Sequence, residues 1–422
     1  MDDRHDLTKG PVIKKMLSFA LPLLLGTVIQ QLYNTVDLIY MRGVGVDASA
    51  AIGASSLLSA VIIGFFGGLS MGSGVIISQI FGSKRKSELS KAIHNSIALA
   101  AVSSLGLMLF GYFFAPLYLK LENTPLEIRA LALGYLRIWV FSLVFIIHYN
   151  LGSGILRALG DSRTPLYAQI IGGLTNVVMD FVFIKMFDNG VNGVAYATFF
   201  SQGVACVFTM IKLTRLDPSY ALRLRKIGFD RDLVRKTFAL GIPAGIQSDL
   251  ITISNMLAQY HINSLGTQAI AAFTAYFKVE ILIYAPIIAL GNTVMMFSGQ
   301  NAGARAFDRI RKGTGTVMLI SMALAAVTGA ACLVWGRYLF MAFLKEESAI
   351  ALGLEIIKVT FPLYWIYSIL QISGDTVRGL GNSKTPMLIT LSVFGAGRVI
   401  LLYSLVPAYP HVTTVAICYP VT

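Results

Sequence analysis

Two aspartates stand where an apolar helix tolerates them least. Asp37 lies deep in the first long apolar stretch with Asn34 one helical turn earlier, and Asp180 lies in the fifth with Asn176 four residues before it. Residues three or four apart share a helix face, so each acid has a neutral, oxygen-bearing neighbour. A charge at bilayer depth costs about 2.5–3.5 kcal/mol on the lenient insertion scale, and side chains kept there at that cost are generally functional. Two carboxylates brought together hold a proton well, because desolvation and mutual repulsion both favour the neutral form. The same oxygens suit a hard cation such as Na+. A structural role stays open beside this one: either acid could cap a broken helix, and Asn176 could bridge two helices.

The second half has its own buried charges: Asp249, Lys278, Glu280, Asp375 and Arg398. Lys278 and Glu280 are two residues apart and point to different faces of one helix. Glu280 is placed either to meet a cationic guest or to pair within its own bundle. Asp375, three residues before Arg378, reads as an ion pair at a loop. Aromatic rings such as Tyr33 and Tyr276 offer faces to planar cations. Tyr33, Asn34, Gln247, Asn255, Tyr276 and Glu280 therefore make up the candidate guest-binding set. His148 and His261 read as core residues.

The elements that must carry these side chains are set by composition. Of the 422 residues 55% are hydrophobic and 13% charged, with a mean hydropathy of +0.70. Soluble domains are about a quarter charged, so this chain cannot cover itself with polar surface, and lipid is the solvent that fits. A spanning helix needs about 20 apolar residues. Such stretches fall near 14–40, 50–80, 93–119, 127–150, 165–187 and 192–213, then 234–260, 271–301, 314–341, 350–372 and 386–408, with a twelfth starting near Thr413.

The loops alternate in charge: one set holds 24 Lys and Arg, the other 6. The basic set belongs on the cytosolic side, which places both termini and the 214–233 linker there. The segment MDDRHDLTKGPVIKK reads as a cytosolic tail leading into a retained helix. A net charge of +13 arranged this way points to a membrane surface and not to nucleic acid. Cys206, Cys332 and Cys418 lie far apart in apolar stretches, so neither a disulfide framework nor a metal cluster is expected. The motifs GxxxxGK[ST], HExxH and GxSxG are absent. Nothing here suggests an enzyme or an organic cofactor.

The chain repeats itself at an offset of 221 residues. Pro22 matches Pro243, Asn34 matches Asn255, SQIFGSK (78–84) matches GQNAGAR (299–305), and LRALGDSRTP (156–165) matches VRGLGNSKTP (377–386). Two six-span halves entering from the same side form a parallel repeat about an axis along the membrane normal, which creates two lobes with a cleft between them. The lobes are expected over 1–213 and 234–422, the second with an incomplete last helix that the offset would carry to about residue 434. Pro22 and Pro243 should kink the first helix of each lobe. Gly64, Gly68 and Gly72, four apart, should let a neighbouring helix come close.

With NTVDLI (34–39), SQIFGSK, GQNAGAR and the paired LRALGDSRTP and VRGLGNSKTP, the whole chain resembles the multidrug and toxic compound extrusion (MATE) family. The turn YMRGVG (40–45) departs mildly from the family's usual form. The resemblance implies a twelve-helix, all-α transporter that exports amphipathic organic cations in exchange for H+ or Na+. The DinF-like branch of that family couples at positions that fall here on Asp37, Asn176, Asp180 and Thr198. Another branch uses an acid three residues before a span-ten Gln; Ser368 stands there, before Gln371, so that site does not carry over. A monomer in the bacterial inner (plasma) membrane is implied. Lipid-linked glycan flippases of the wider superfamily are the alternative, and they would need a basic cleft.

Overall fold

The computed structural model describes residues 6–42 and 45–422, apart from the side chains of Asn34, Asp37, Leu38, Ile39, Met41, Arg42 and Val46. All regular structure among them is helical. The first half runs α1 (Val12–Arg42), α2 (Val46–Gly82), α3 (Lys86–Leu121), α4 (Leu126–Ala158), α5 (Arg163–Asp180) and α6 (Gly190–Thr214). The second runs α7 (Arg231–Ser264), α8 (Thr267–Gly303), α9 (Phe307–Met341), α10 (Glu347–Thr360), α11 (Tyr364–Gly379), α12 (Lys384–Thr390), α13 (Arg398–Ala408) and α14 (Val412–Val421). A 3₁₀ turn at Phe361–Leu363 joins α10 to α11 as one span, and a π segment at Leu391–Gly397 joins α12 to α13. Ten of the resulting described segments are long and apolar enough to cross a membrane. The seventh is a full 34-residue helix diluted by polar residues, and the twelfth has ten residues.

α3 and α9 begin about seven residues earlier than hydropathy alone places them, at Lys86 and Phe307. Their first turns are charged, with Lys86 and Glu88 in one and Asp308 and Arg309 in the other, and face outward where water can reach them. Both proline-bearing first helices, α1 and α7, continue through Pro22 and Pro243.

The repeat is written into the backbone. Left-handed φ angles recur at the same offset: Gly45 (126°) and Gly266 (95°), Lys84 (60°) and Arg305 (56°), Gly160 (87°) and Gly381 (95°). The third pair explains the strongest sequence match. A glycine reverses the chain after α4 and α11, and the next residue caps the following helix. Asp161 Oδ1 accepts from Thr164 N at 2.9 Å, and Asn382 Oδ1 accepts from Thr385 N at 3.1 Å.

Three apolar cores show how the halves meet. One, at the basic end, mixes both halves: Met16, Ile77, Ile93 and Leu156 with Val294, Phe297, Val317 and Ile372. At the opposite end there are two cores, one per half. Ala115, Leu136 and Ala195 belong to the first, Phe273, Ile356 and Val415 to the second. The lobes are thus joined at the basic end and separately packed at the other.

Candidate functional site

The joined end is held by a reciprocal contact that the repeat makes twice. Gln79 Nε2 donates to Gly379 O at 2.9 Å, and Gln300 Nε2 donates to Ala158 O at 2.8 Å. Each glutamine closes α2 or α8 and reaches a free carbonyl at the C-terminal end of the opposite lobe's α11 or α4, where such carbonyls have no intrahelical partner. Gly82 lies against the backbone of Gln300, and Gly303 against that of Gln79; a Cβ on either would overlap a carbonyl oxygen. The tail breaks the symmetry: Leu7, 2% exposed, donates its N–H to Gln300 Oε1 at 2.9 Å.

Further up the interface the predicted close approach of α2 occurs. Gly68 and Gly72 meet the backbones of Gly245 and Gly241 on α7, and Gly64 faces Asp249. With glycine against glycine there is no room for a guest there. A small cavity of about 180 Å³ remains between the lobes, lined by Ser70, Asn150, Arg157 and Asn292 among others.

A space of about 380 Å³ lies between the halves at the joined end, beside Gln79, Arg85 and Arg305, and others lie inside the lobes. A cavity of about 430 Å³ opens in the first, lined by Tyr33, Trp139, Asn150, Arg157, Asn176 and Thr198 with Gln30, Gln169 and Gln202. Asn176 is 4% exposed, and its Oδ1 has no hydrogen-bond partner among the described residues. Thr198 donates to Val194 O at 3.0 Å, which leaves its oxygen free to accept. Asp180 is fully buried, at the point where α5 passes into the π turn Phe181–Met186. Tyr33 packs over Gly173, which has no side chain to obstruct the ring. Asn34 and Asp37 lie on α1, and their side chains fall outside the described residues. Asn176 and Thr198 thus meet in one cavity with Tyr33, Asp180 lies one helical turn from Asn176 on the same helix, and the donor set is neutral oxygen beside carboxylate, which fits a hard cation.

The second lobe holds a cavity of about 360 Å³ lined by Asn255, Glu280, Tyr284, Tyr364, Tyr367 and Arg398. Tyr364 donates to Glu280, and Tyr276 joins the pair through contacts of 3.2 and 3.3 Å. Tyr276 is itself fully buried behind that wall. Arg398, 2% exposed, donates to Asn255 Oδ1 at 3.1 Å and stacks on Phe394 and Tyr419. Lys278 turns away, over the Phe343 ring.

Next to this cavity runs a second polar chain. Tyr367 donates to Gln371 at 3.1 Å, Gln371 to Asp375 at 2.7 Å, and Arg378 binds both Asp375 and, at 2.8 Å, Gln247. Asp375 pairs with Arg378 as expected but inside α11, 2% exposed, and not in a loop. Gln247 is engaged at both ends, since it also donates to Thr390 at 2.7 Å. Of the predicted guest-binding residues, the described ones therefore lie within the lobes: Tyr33 in the first, Asn255, Glu280, Tyr276 and Gln247 in the second. Arg157, like Arg378, is a residue that sequence reasoning misplaced. One of the 24 basic residues that charge counting assigns to loops, it lies within α4 and lines two cavities. Its alignment with Arg378 was the available signal.

A duplicated all-helical chain with ten described segments long and apolar enough to cross a membrane, and polar cavities inside its halves, defines a multi-pass membrane protein of the transporter class. The sequence model of the MatE family matches residues 22–182 and again 243–403, the two matches standing at the offset of the repeat, and the chain belongs to that family. It is 30% identical over 393 residues to the probable multidrug resistance protein YpnP of Bacillus subtilis, covering 92% of this chain and 87% of that protein. It is 24% identical over 358 residues to the multidrug export protein MepA of Staphylococcus aureus, covering 83% and 78%. A solved structure described as the outward-facing conformation of a multidrug resistance MATE family transporter superposes with a TM-score of 0.93 at 21% identity, over 100% of this chain and 94% of that one.

Proposed function

We propose that this protein is a secondary active exporter of amphipathic organic cations, driven by the inward movement of H+ or Na+ through a site formed by Asp37, Asn176, Asp180 and Thr198. The observation that carries the reading is the buried, unpartnered Oδ1 of Asn176 in a polar cavity beside the fully buried Asp180. Buried polar atoms are nearly always hydrogen-bonded, so an orphaned acceptor beside a carboxylate suits a cation or a proton carrier. The names of the relatives support drug-like cargo. Joined cores at the basic end and separate ones opposite fit alternating access, with the joined end and the N-terminal tail toward the cytosol. The protein works as a monomer in the plasma membrane without a cofactor. A flippase would need a basic cleft, whereas the second cavity sets Glu280 against Arg398.

The test is drug efflux from everted vesicles under separately imposed proton and sodium gradients. Asp37→Asn and Asp180→Asn should each reduce gradient-driven efflux to background while drug still binds. If both pump at the wild-type rate, coupling lies elsewhere.

A further inference from the structure

The segments that lead into the first helix of each lobe are anchored in opposite senses. Leu7 precedes α1 of the first lobe, but its backbone is bound by the second. Its N–H donates to Gln300 Oε1 at 2.9 Å, and its carbonyl accepts from Asn301 Nδ2 and from Arg309, each at 3.3 Å. Its side chain is sealed in the core that both halves share. The linker before α7 shows the converse: it enters the second lobe but is held by α3 of the first. Arg223 N donates to His94 Nε2 at 3.0 Å, and Asp230 N donates to Asn95 Oδ1 at 2.9 Å. Lys86 pairs with Asp217 at 3.2 Å, and Tyr220 and Leu222 are buried. At the offset of the repeat Leu7 falls on Gly228, two residues before Asp230, so the two anchors occupy nearly the same place in the duplicated plan.

The anchoring groups are built for this contact. His94 and Asn95 are buried. His94 Nδ1 lies 2.6 Å from Ser90 O and donates to it, which leaves Nε2 free to accept. Asp230 serves both sides at once: its N–H is held by Asn95, and its carboxylate caps α7 by accepting from Asp232 N and Leu233 N at 3.1 Å. No slack is left between the first lobe and the first turn of α7. The tail has a little, since the five-residue step from Leu7 to Val12 extends to about 17 Å at most. A motion that parts the lobes at the basic end pulls on both anchors, and each buried acceptor that loses its donor must be satisfied by water or bear the cost.

We propose that these two segments are crossed straps: each ties the first helix of one lobe to the opposite lobe, and together they hold the basic end shut until they peel away. The linker strap, without slack, releases first. The inference rests on the alternating-access part of the export reading and names the device that keeps the cytosolic side closed.

The test places spin labels at Lys91→Cys and Lys312→Cys, exposed positions on α3 and α9 that the repeat makes equivalent; the native Cys206, Cys332 and Cys418 are buried. Distances between the labels are read by double electron–electron resonance on the full chain in nanodiscs. Asn95→Ala should lower the ratio of closed to open basic end about fivefold, the scale of one net hydrogen bond. Deletion of residues 1–8, which removes no part of any helix, should lower it further, because three hydrogen bonds and the buried Leu7 are lost together. The two changes combined should lower it by about the product of their separate effects. A distance distribution that stays at wild type in the combined variant overturns the proposal; if Asn95→Ala does not fold, the deletion alone decides in the same way. Unchanged distances beside gradient-driven efflux would sink the straps and leave the export reading standing. Strap-dependent distances in a protein that shows no efflux under either gradient would do the reverse.

Discussion

The two lobes carry one plan and use it differently. In the second, the arginine that ends the fourth span of the lobe is locked by Asp375 and Gln247, and a chain of tyrosines and glutamines extends from it toward Glu280. In the first, the same arginine faces open space, and Asn176 keeps an unpartnered oxygen. A duplicated scaffold can let one copy hold the structure through satisfied buried networks while the other keeps unsatisfied groups for a ligand. Satisfied polar networks rigidify; partly satisfied ones are costly unless something else completes them.

The strongest way to break this comparison is at the joined end, where the lobes remain equivalent. Gly82→Ala and Gly303→Ala should each prevent closure, because the added carbon would overlap the carbonyl oxygen of Gln300 or Gln79. Disulfide trapping of cysteines placed on α2 and α8 should drop to background in both. If only one variant does so, the contact is not reciprocal in function.

The arginine pair comes next. Asp375→Asn leaves Arg378 buried without its charge partner, and breaking a buried pair costs about 3–5 kcal/mol, visible as a large fall in melting temperature in detergent. Arg157→Gln breaks no ion pair with a described residue and should shift the melt by less than about 0.5 kcal/mol. Equal shifts would mean that both arginines are structural.

Smaller effects separate the two latch glutamines. Gln79→Ala loses one inter-lobe hydrogen bond, worth about 1 kcal/mol. Gln300→Ala loses the bond to Ala158 and the one from Leu7. Trapping of the closed end should therefore fall further for Gln300→Ala, and deletion of residues 1–8 should remove the difference.

The least effect belongs to the surface. Hydrogen bonds from the Ser219 hydroxyl and amide, then Lys86, hold the Asp217 carboxyl down from an ordinary 3.8 to about 2. A depressed carboxylate stabilises above its unfolded value and loses that contribution as pH falls through the folded one. Asp217→Asn should thus melt slightly below wild type at neutral pH, with the gap constant above about pH 4 and closing toward pH 2. A gap that widens in acid would show that another group governs it.

Much of this molecule was open to sequence reading. Apolar length located the spans, the offset of the repeat paired Lys84 with Arg305 and Gly160 with Gly381, and each pair returns as the same left-handed turn. Asp180 and Asn176 stand out in the sequence because polar atoms in apolar stretches are conspicuous, whereas Thr198 is singled out only by the family resemblance. Tyr33 and Asn176 share a cavity, whereas Tyr276, expected at the surface of a cleft, is sealed behind Tyr364. Hydropathy and helical periodicity state which face is polar, but not which neighbour covers it.

The sequence by itself determined the helical type of the elements, the duplication and the places where the chain turns, because these depend on local chemistry: apolar length, glycine at positive φ, and a capping oxygen one residue later. Only the tertiary structure decided which end of the two lobes is joined and which of two equivalent arginines is neutralised. Both depend on atoms brought together from opposite halves or distant spans. Gln79 reaches Gly379 across the pseudo-twofold axis, and Gln247 on α7 reaches Arg378 on α11. No spacing along the chain encodes those approaches, since they follow from how glycine-lined helices pack once the lobes have formed.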